Sequence, residues 1–223
     1  MTPYYDQDGV TIYHADCREI LPTLPKVDLL LTDPPYNASF NADGTKKRGV
    51  VCKHKGYAAI NQEWDNETVM DVVLAWHGQS LAFCSFHLLG RYLHEKPPHQ
   101  ILHWVKTNPF PALGDYYSFS VEYILWWRDG GAFNRGGYTD VFSFPICGGD
   151  ERTGHPTQKP QALMEILIAK HTNPGDTILD PFMGSGTTLR AAKNLGRKAI
   201  GVEIDERYCE IAVRRLAQSV LPL

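Results

Sequence analysis

Short apolar runs alternate with amphipathic segments along the chain, which is typical of strands joined by helices. Apolar runs at 27–32, 81–86 and 121–127 have the length of strands buried on both faces of a sheet. Val69, Val72, Val73 and Trp76 recur at helical spacing. Further strands are predicted at 10–13, 101–105, 177–179 and 199–202, and helices at 16–24, 66–77, 88–94, 160–172, 187–195 and 206–219. This alternation predicts a doubly wound, mostly parallel α/β sheet of seven strands.

Two stretches interrupt the alternation and are predicted as loops. Residues 37–62 are rich in Gly, Asn, Lys and Arg, and we expect a mobile loop there. Residues 107–158 contain many Gly, Pro and aromatic residues around the strand at 121–127, and we expect a loop-rich insertion. The chain has 223 residues, so residues 1–223 are expected to form a single domain.

Four acids follow predicted strands directly: Asp16, Asp33, Asp180 and Glu203. In an open parallel sheet, ligands bind outside the carboxyl ends of the strands. One such acid is more often a helix cap, but four on one edge favour a binding site.

A glycine loop at 180–188 joins a strand to a helix and is a candidate cofactor site. Gly184 and Gly186 permit close backbone approach, and the helix N-terminus offers N–H groups to an anion. The loop lacks the lysine of a P-loop and the third glycine of a dinucleotide turn. Glu203 lies 23 residues beyond Asp180, the spacing at which an acid binds ribose hydroxyls in nucleotide folds.

The tetrapeptide Asp33-Pro34-Pro35-Tyr36 suits the activation of an exocyclic base amine. Such an amine is a poor nucleophile because its lone pair is delocalised into the ring. The Asp33 carboxylate and the Pro34 carbonyl can accept hydrogen bonds from both amine hydrogens, and the two prolines hold these acceptors in place. Tyr36 can stack on an extruded base. The alternative is a strand end with a proline turn and a surface tyrosine.

Taken together, these motifs resemble the beta group of S-adenosylmethionine-dependent DNA amino-methyltransferases. The glycine loop is similar to the family's D-x-F-x-G-x-G loop, and residues 155–160 match its H-P-T-Q-K-P segment. The tetrapeptide precedes the glycine loop, which is the circularly rearranged order of that group; RNA guanine and protein glutamine methyltransferases usually have the reverse order. Residues 104–109 and 121–125 also match family stretches, with Val121 where His is common.

The resemblance implies S-adenosylmethionine as cofactor, a Rossmann-like methyltransferase sheet and a flipped-out base in duplex DNA. It implies that Glu203 binds the cofactor ribose and that Asp16 contacts its adenine. The expected catalytic residues are Asp33, Pro34, Pro35 and Tyr36. The expected cofactor-binding residues are Asp16, Cys17, His155, Thr157, Lys159, Pro160, Asp180, Pro181, Phe182, Gly184, Ser185, Gly186, Thr187, Glu203 and Ile204.

Within the family, a leading Asp in the tetrapeptide usually accompanies adenine, and Ser accompanies cytosine. Asp33 therefore favours transfer to N6 of adenine. The alternatives are an N4-cytosine enzyme of the same fold, a non-catalytic nucleic-acid-binding relic and an RNA methyltransferase. The resemblance also implies a restriction-modification role and a possible homodimer, and it places a short target-recognition segment at 128–150 within the loop-rich insertion.

Basic residues in both predicted loops are candidates for phosphate contact, although charge runs are often only solvated. The expected DNA-binding residues are Lys46, Lys47, Arg48, Lys53, Lys55, Arg128 and Arg135. The formal net charge of −3 does not favour nucleic-acid binding, but binding depends on local patches. The five cysteines are scattered, so neither a disulfide framework nor a metal site is expected. With no signal peptide or membrane span in the pattern, a cytoplasmic location is expected.

Overall fold

A computed structural model describes residues 2–35, 66–111, 117–134, 136–137, 139–151, 153 and 157–218. The strands are β1 (Tyr5–Gln7), β2 (Val10–His14), β3 (Leu29–Thr32), β4 (Ser80–Cys84), β5 (Gln100–Lys106), β6 (Val121–Trp127), β7 (Val141–Phe144), β8 (Thr177–Asp180) and β9 (Lys198–Glu203). The α-helices are α1 (Cys17–Ile20), α2 (Asn66–Leu74), α3 (Phe86–Glu95), α4 (Gln161–His171), α5 (Thr187–Asn194) and α6 (Glu206–Ala217). Short 3₁₀ turns lie at Leu21–Thr23 and Gly149–Glu151.

These strands form one mixed sheet in the order β1-β2-β9-β8-β3-β4-β6-β5-β7. The five strands from β2 to β4 in this order are parallel. β6 runs antiparallel between β4 and β5, while β1 is an antiparallel edge and β7 a parallel edge. The predicted mostly parallel α/β sheet is therefore confirmed.

All seven predicted strands are present, and the sheet has two more at its edges. β1 pairs with β2 through a two-residue turn in which Asp8 and Gly9 both have positive φ, the geometry of a tight hairpin. β7 lies in the stretch predicted as loop, so that part of the prediction is wrong. Phe142 is the one buried residue among the four of β7, so no run of buried apolar residues marks this strand in the sequence.

Helices cover both faces of the sheet, as expected for a doubly wound fold. On one face, Leu29 and Leu31 of β3 share a core with the apolar sides of α4, α5 and α6. On the other face, α2 and α3 pack on Ala82 and Cys84 of β4, and α1 packs on Val202. Central strands are thus buried on both sides, which explains their continuous apolar sequences.

The chain changes faces between β8 and β3, which are neighbours at the centre of the sheet. α5 follows β8 on one face and α2 follows β3 on the other. Such a switch point opens a crevice at the carboxyl ends of the strands. Among the described residues, no helix is long and apolar enough to cross a membrane.

Candidate active site

The four predicted acids lie at one edge of the sheet. β2, β9, β8 and β3 are parallel neighbours, so their carboxyl ends bring Asp16, Glu203, Asp180 and Asp33 to the crevice side. Thr32 Oγ1 donates to Asp180 Oδ1 at 2.7 Å, across 148 residues of chain. This hydrogen bond joins the turn that carries Asp33 to the glycine loop.

Asp180 is buried and serves mainly to hold its own loop. Its carboxylate accepts hydrogen bonds from Thr32, from Thr188 Oγ1 at 2.5 Å and from the Phe182 N–H at 3.2 Å. Burial raises the pKa of Asp180 to about 6, although the hydrogen bonds from Thr188 and Thr32 oppose the shift. With both oxygens engaged inside the protein, Asp180 orders the loop that follows β8.

Positive φ angles at two glycines shape this loop. Gly184 has φ +50° and Gly186 has φ +76°, a left-handed conformation that glycine adopts without steric cost. A Cβ at Gly186 would lie 2.7 Å from the Ala212 Cβ on α6. The sequence suggests close ligand approach as the reason for this glycine, but the structure gives tight packing of the loop against α6.

Arg215 on α6 was not anticipated from the sequence. Its buried guanidinium donates to the Ser185 carbonyl at 2.8 Å and to Thr187 Oγ1 at 3.0 Å. Two of the expected cofactor-binding residues, Ser185 and Thr187, are therefore contacted by an arginine of the protein. The signal for Arg215 in the sequence is weak, because it follows Arg214 in a helix whose exposed side is charged.

Glu203 ends β9 with a half-buried carboxylate. Its Oε2 accepts from the Gly184 N–H at 3.0 Å and its Oε1 from the Asp205 N–H at 2.9 Å. Burial raises the pKa of Glu203 to about 7, against the lowering effect of these hydrogen bonds. Each carboxylate oxygen has a second lone pair, so Glu203 can accept further bonds from neutral hydroxyl groups.

Asp16 caps the short helix α1. Its side chain accepts from the Arg18 N–H at 2.9 Å and forms an ion pair with the Arg18 guanidinium, and these contacts lower its pKa. Cys17 is buried behind it. The exposed side chain of Ile204 lies beside Glu203 at the same edge, and its carbonyl is 3.0 Å from His14 Nε2.

Asp33 follows β3 and is bound by a lysine from a distant segment. Lys159 Nζ lies 2.7 Å from Asp33 Oδ2 and 3.1 Å from Glu122 Oε2. The Lys159 side chain is 5 % exposed, whereas Asp33 is 20 % exposed. Lys159, which the sequence assigns to the cofactor, thus has its ammonium at the candidate catalytic carboxylate.

Glu122 and Lys106 extend this contact into the sheet. Lys106 Nζ lies 2.7 Å from Glu122 Oε1, so Asp33, Lys159, Glu122 and Lys106 form a row of alternating charges, here named the charge row. In the sequence, both residues belong to the stretches that match the family, at 104–109 and 121–125, and neither was expected at the site. Their signal is a charged residue within or at the end of an apolar strand, which is uncommon without a partner.

Arg128 lies away from this site. β6 is antiparallel to β4 and pairs Trp127 with Ser80, which places residue 128 at the opposite edge of the sheet. The Arg128 guanidinium packs over Phe133, whose ring stacks on Trp126 at 4.9 Å. Asn134 then donates to the Ala169 and Thr172 carbonyls at the end of α4. These contacts hold residues 128–134 of the expected target-recognition segment at the edge of the sheet opposite the crevice.

Some of the remaining expected residues are described by the structure, and the others are not. Pro34, Pro35, Pro160, Pro181 and Phe182 lie at the crevice edge, beside the ends of β3 and β8 and the start of α4, and Thr157 is exposed. Tyr36, Lys46, Lys47, Arg48, Lys53, Lys55, Arg135 and His155 lie outside the described residues.

Four cysteines of the described chain are buried free thiols: Cys17, Cys84, Cys147 and Cys209. Burial raises the pKa of Cys17 to about 12, so this thiol stays protonated at neutral pH. Within the described ranges, no group of three or more His, Cys, Asp or Glu side chains is arranged to hold a metal ion.

Known proteins share this architecture over nearly the whole chain. Residues 27–214 match the N6/N4 methyltransferase family model, described as DNA methylase. A type II methyltransferase of Lactococcus lactis subsp. cremoris, M2.LlaDCHI, is 32 % identical over 96 % of this chain and 91 % of its own. The crystal structure of an M1.HpyAVI–SAM complex is 32 % identical and has a TM-score of 0.72, covering 94 % of this chain and 100 % of that one.

A further structure shares the fold at low sequence identity. The PvuII DNA methyltransferase, which is cytosine-N4-specific, has a TM-score of 0.74 at 18 % identity, covering 99 % of this chain and 90 % of its own. That likeness concerns the fold alone and does not indicate which base this chain methylates. The match over residues 27–214 and the 32 % identity over nearly full length agree with the geometry of the crevice: the chain belongs to the N6/N4 family of DNA methylases.

Proposed function

We propose that this protein is a site-specific DNA methyltransferase that transfers the methyl group of S-adenosylmethionine to N6 of adenine. The observation that carries the proposal is the Asp33-Pro34-Pro35 turn at the sheet's switch point, joined to the glycine loop by the Thr32–Asp180 hydrogen bond. This hydrogen bond supports the proposal that the base site and the cofactor site lie side by side. The leading aspartate favours adenine over cytosine.

On the base side, Asp33 and the Pro34 carbonyl accept the two amine hydrogens. Accepting both bonds draws the nitrogen toward a tetrahedral shape, with its lone pair directed at the methyl donor. Pro34 is buried and Pro35 half-buried, so the turn is held in place before the base enters. The amine proton released on methylation passes to solvent through the partly exposed Asp33 edge.

On the cofactor side, the residues present fit S-adenosylmethionine. The half-buried Glu203 carboxylate, with a pKa raised to about 7 by burial, suits the neutral hydroxyl groups of a ribose. Asp16 and Ile204 would hold the adenine end of the cofactor, and the loop at 180–187 would hold its methionine end. When bound, S-adenosylmethionine supplies an electrophilic methyl group, and the protein supplies orientation.

The partners follow from this chemistry. An amine inside a duplex is stacked and paired, so the target adenine has to be extruded before Asp33 can reach it. We propose duplex DNA as the substrate, contacted by basic residues of the 37–62 segment, and a homodimer as the assembly. The relative from Lactococcus lactis is a type II methyltransferase, which supports a restriction-modification role. That relative comes from a bacterium, in which DNA lies in the cytoplasm, and this supports a cytoplasmic location.

The test combines product analysis with one substitution. DNA methylated by the protein is digested to nucleosides, and N6-methyladenine is the expected product. Asp33→Ala should abolish transfer while the Kd for S-adenosylmethionine stays within about threefold, because Asp33 contacts the base and not the cofactor. Asp71→Ala, which removes an exposed acid of α2, is the matched control and should keep full activity. N4-methylcytosine without N6-methyladenine, or equal loss of binding and transfer in Asp33→Ala, would refute the proposal.

A further inference from the structure

We infer that Lys159 and Glu122 are positioning residues for Asp33: Lys159 holds the catalytic carboxylate in its base-binding orientation, and Glu122 holds Lys159. The inference deepens the proposed function and rests on it, since it assigns a task to residues behind the base site. The other three residues of the charge row come from three different parts of the fold. Lys159 precedes α4, Glu122 lies on β6 and Lys106 ends β5.

The contacts fix the Lys159 ammonium in three dimensions. Its Nζ is 2.7 Å from Asp33 Oδ2 and 3.1 Å from Glu122 Oε2. The same atom lies 5.0 Å from the centroid of the Phe83 ring and 5.8 Å from that of Trp104, both within cation–π range. Two carboxylates and two aromatic rings therefore leave the ammonium little freedom to move, and Asp33 is held through it.

Trp104 is itself anchored and links both lysines of the row. Its indole N–H donates to the Phe144 carbonyl at 3.0 Å, and its ring is almost fully buried. Lys106 Nζ lies 5.3 Å from the same ring and 2.7 Å from Glu122 Oε1. The support behind Asp33 is thus built on strands of the sheet, which are more rigid than loops.

Electrostatics keeps the lysine charged in this buried position. Burial alone lowers the pKa of Lys159, but the adjacent Asp33 and Glu122 carboxylates raise it above its ordinary value. For Glu122 the directions are reversed. Burial alone raises its pKa, but the adjacent Lys159 and Lys106 ammonium groups lower it below its usual range. Lys159 and Glu122 therefore both stay charged at neutral pH.

Stability alone does not account for such a row. Buried ion pairs are often no more stabilising than apolar side chains of the same volume, because desolvation offsets their attraction. Here the row ends on Asp33, the member that borders the crevice and is proposed to touch the substrate. A fixed ammonium at Asp33 Oδ2 is what an apolar replacement does not supply.

The decisive experiment compares Lys159→Met with the double variant Lys159→Met/Glu122→Gln. The single variant leaves two carboxylates in the charge row, Asp33 and Glu122, with Lys106 as the one remaining cation, so its Tm falls. The double variant leaves one carboxylate, Asp33, and one ammonium, Lys106, so the charges of the row balance again and part of that Tm should be recovered. If Lys159 positions Asp33, the single-turnover rate of methyl transfer stays about 100-fold below wild type in both variants, the scale of a small misplacement of a reacting group.

Affinities separate positioning from binding in the same variants. The Kd for S-adenosylmethionine and the Kd for target DNA should each stay within about threefold of wild type. Glu122→Gln alone should lower the transfer rate by about tenfold, because it loosens Lys159 without removing it. Lys193→Met is the matched control: it removes a lysine paired with Asp8 at the far edge of the sheet and should leave the rate unchanged.

Three results would overturn the inference. A rate that recovers together with Tm in the double variant would make the row purely structural. A rate near wild type in Lys159→Met would show that Asp33 needs no anchor. A loss of affinity for S-adenosylmethionine as large as the loss of rate would show that Lys159 acts in cofactor binding and not in positioning Asp33. Failure of the proposed function is seen separately, because wild type and Lys193→Met would then yield no N6-methyladenine in the same assay.

Discussion

Gly186→Ala is expected to lower both the stability of the protein and its affinity for S-adenosylmethionine. Gly186 precedes α5 with φ +76°, a conformation that disfavours any residue with a Cβ. An alanine Cβ there would lie 2.7 Å from the Ala212 Cβ and 3.3 Å from its Cα on α6. Ordinary contacts between carbon atoms are about 3.5–4.0 Å, so either the loop or α6 has to move.

The size of the effect follows from these two penalties. The left-handed conformation costs a non-glycine residue about 1–2 kcal/mol. Overpacking by one methyl group costs about 1–3 kcal/mol more. Their sum is about 2–5 kcal/mol, which corresponds to a fall in Tm of about 4–20 °C for a chain of this size. Any part of the strain that is relieved by moving the loop appears as weaker cofactor binding, at about tenfold per 1.4 kcal/mol.

Thermal unfolding and calorimetric titration with S-adenosylmethionine measure the two parts. Gly90→Ala is the matched control, since an added Cβ meets no atom within 4 Å on the exposed side of α3. That variant should gain about 0.5–1 kcal/mol, because alanine is the better helix former. A Gly186→Ala protein with the Tm and the cofactor Kd of wild type would refute the packing explanation for this glycine.

Two further substitutions test the bond between the two motifs and the acid that ends β9. Thr32→Val removes the donor to Asp180 Oδ1 and should cost about 1.5–3 kcal/mol in the free energy of unfolding, measured with urea; Thr32→Ser, which keeps the hydroxyl group, should lose less, and equal losses would contradict the assignment. Glu203 has a pKa raised to about 7 by burial, so the folded chain binds its proton more tightly than the unfolded chain, whose ordinary value is 4.5. The free energy of unfolding should therefore fall as pH rises from about 4.5 to about 7, and affinity for S-adenosylmethionine should rise through about 7 as the carboxylate ionises. Glu203→Gln should lose both pH dependences. If calorimetric titration gives Glu203→Gln the same affinity for S-adenosylmethionine as wild type at each pH, Glu203 does not contact the ribose.

The sequence was most informative about buried parallel strands. The run at 27–32 predicts β3 because a strand covered on both faces contains little but apolar residues, and the helix spacing of Val72 and Val73 predicts α2 for a similar reason. β7 escapes prediction because a short edge strand buries only Phe142. Regular burial leaves a pattern in the sequence, whereas single edge contacts leave none.

The candidate site was predictable to a similar degree. Asp33, Asp180 and Glu203 could be placed at one edge because each follows a strand and parallel strands end together. The partner of Lys159 could not be found, since 126 residues separate it from Asp33 and local spacing has no bearing on such a contact. Arg215 escaped for the same reason, because its partners lie 28 and 30 residues away on another element.

These long-range contacts explain how two distant motifs work as one site. Asp33 and Asp180 end neighbouring strands, yet each carboxylate is held by a residue from the other half of the chain: Lys159 binds Asp33, and Thr32 binds Asp180. Displacing the β3 turn would therefore disturb the glycine loop as well, and displacing the segment before α4 would disturb the base site. Methyl transfer needs the amine and the methyl donor aligned to within a fraction of an ångström. Mutual anchoring across the switch point provides that alignment independently of the order in which the two motifs occur along the chain.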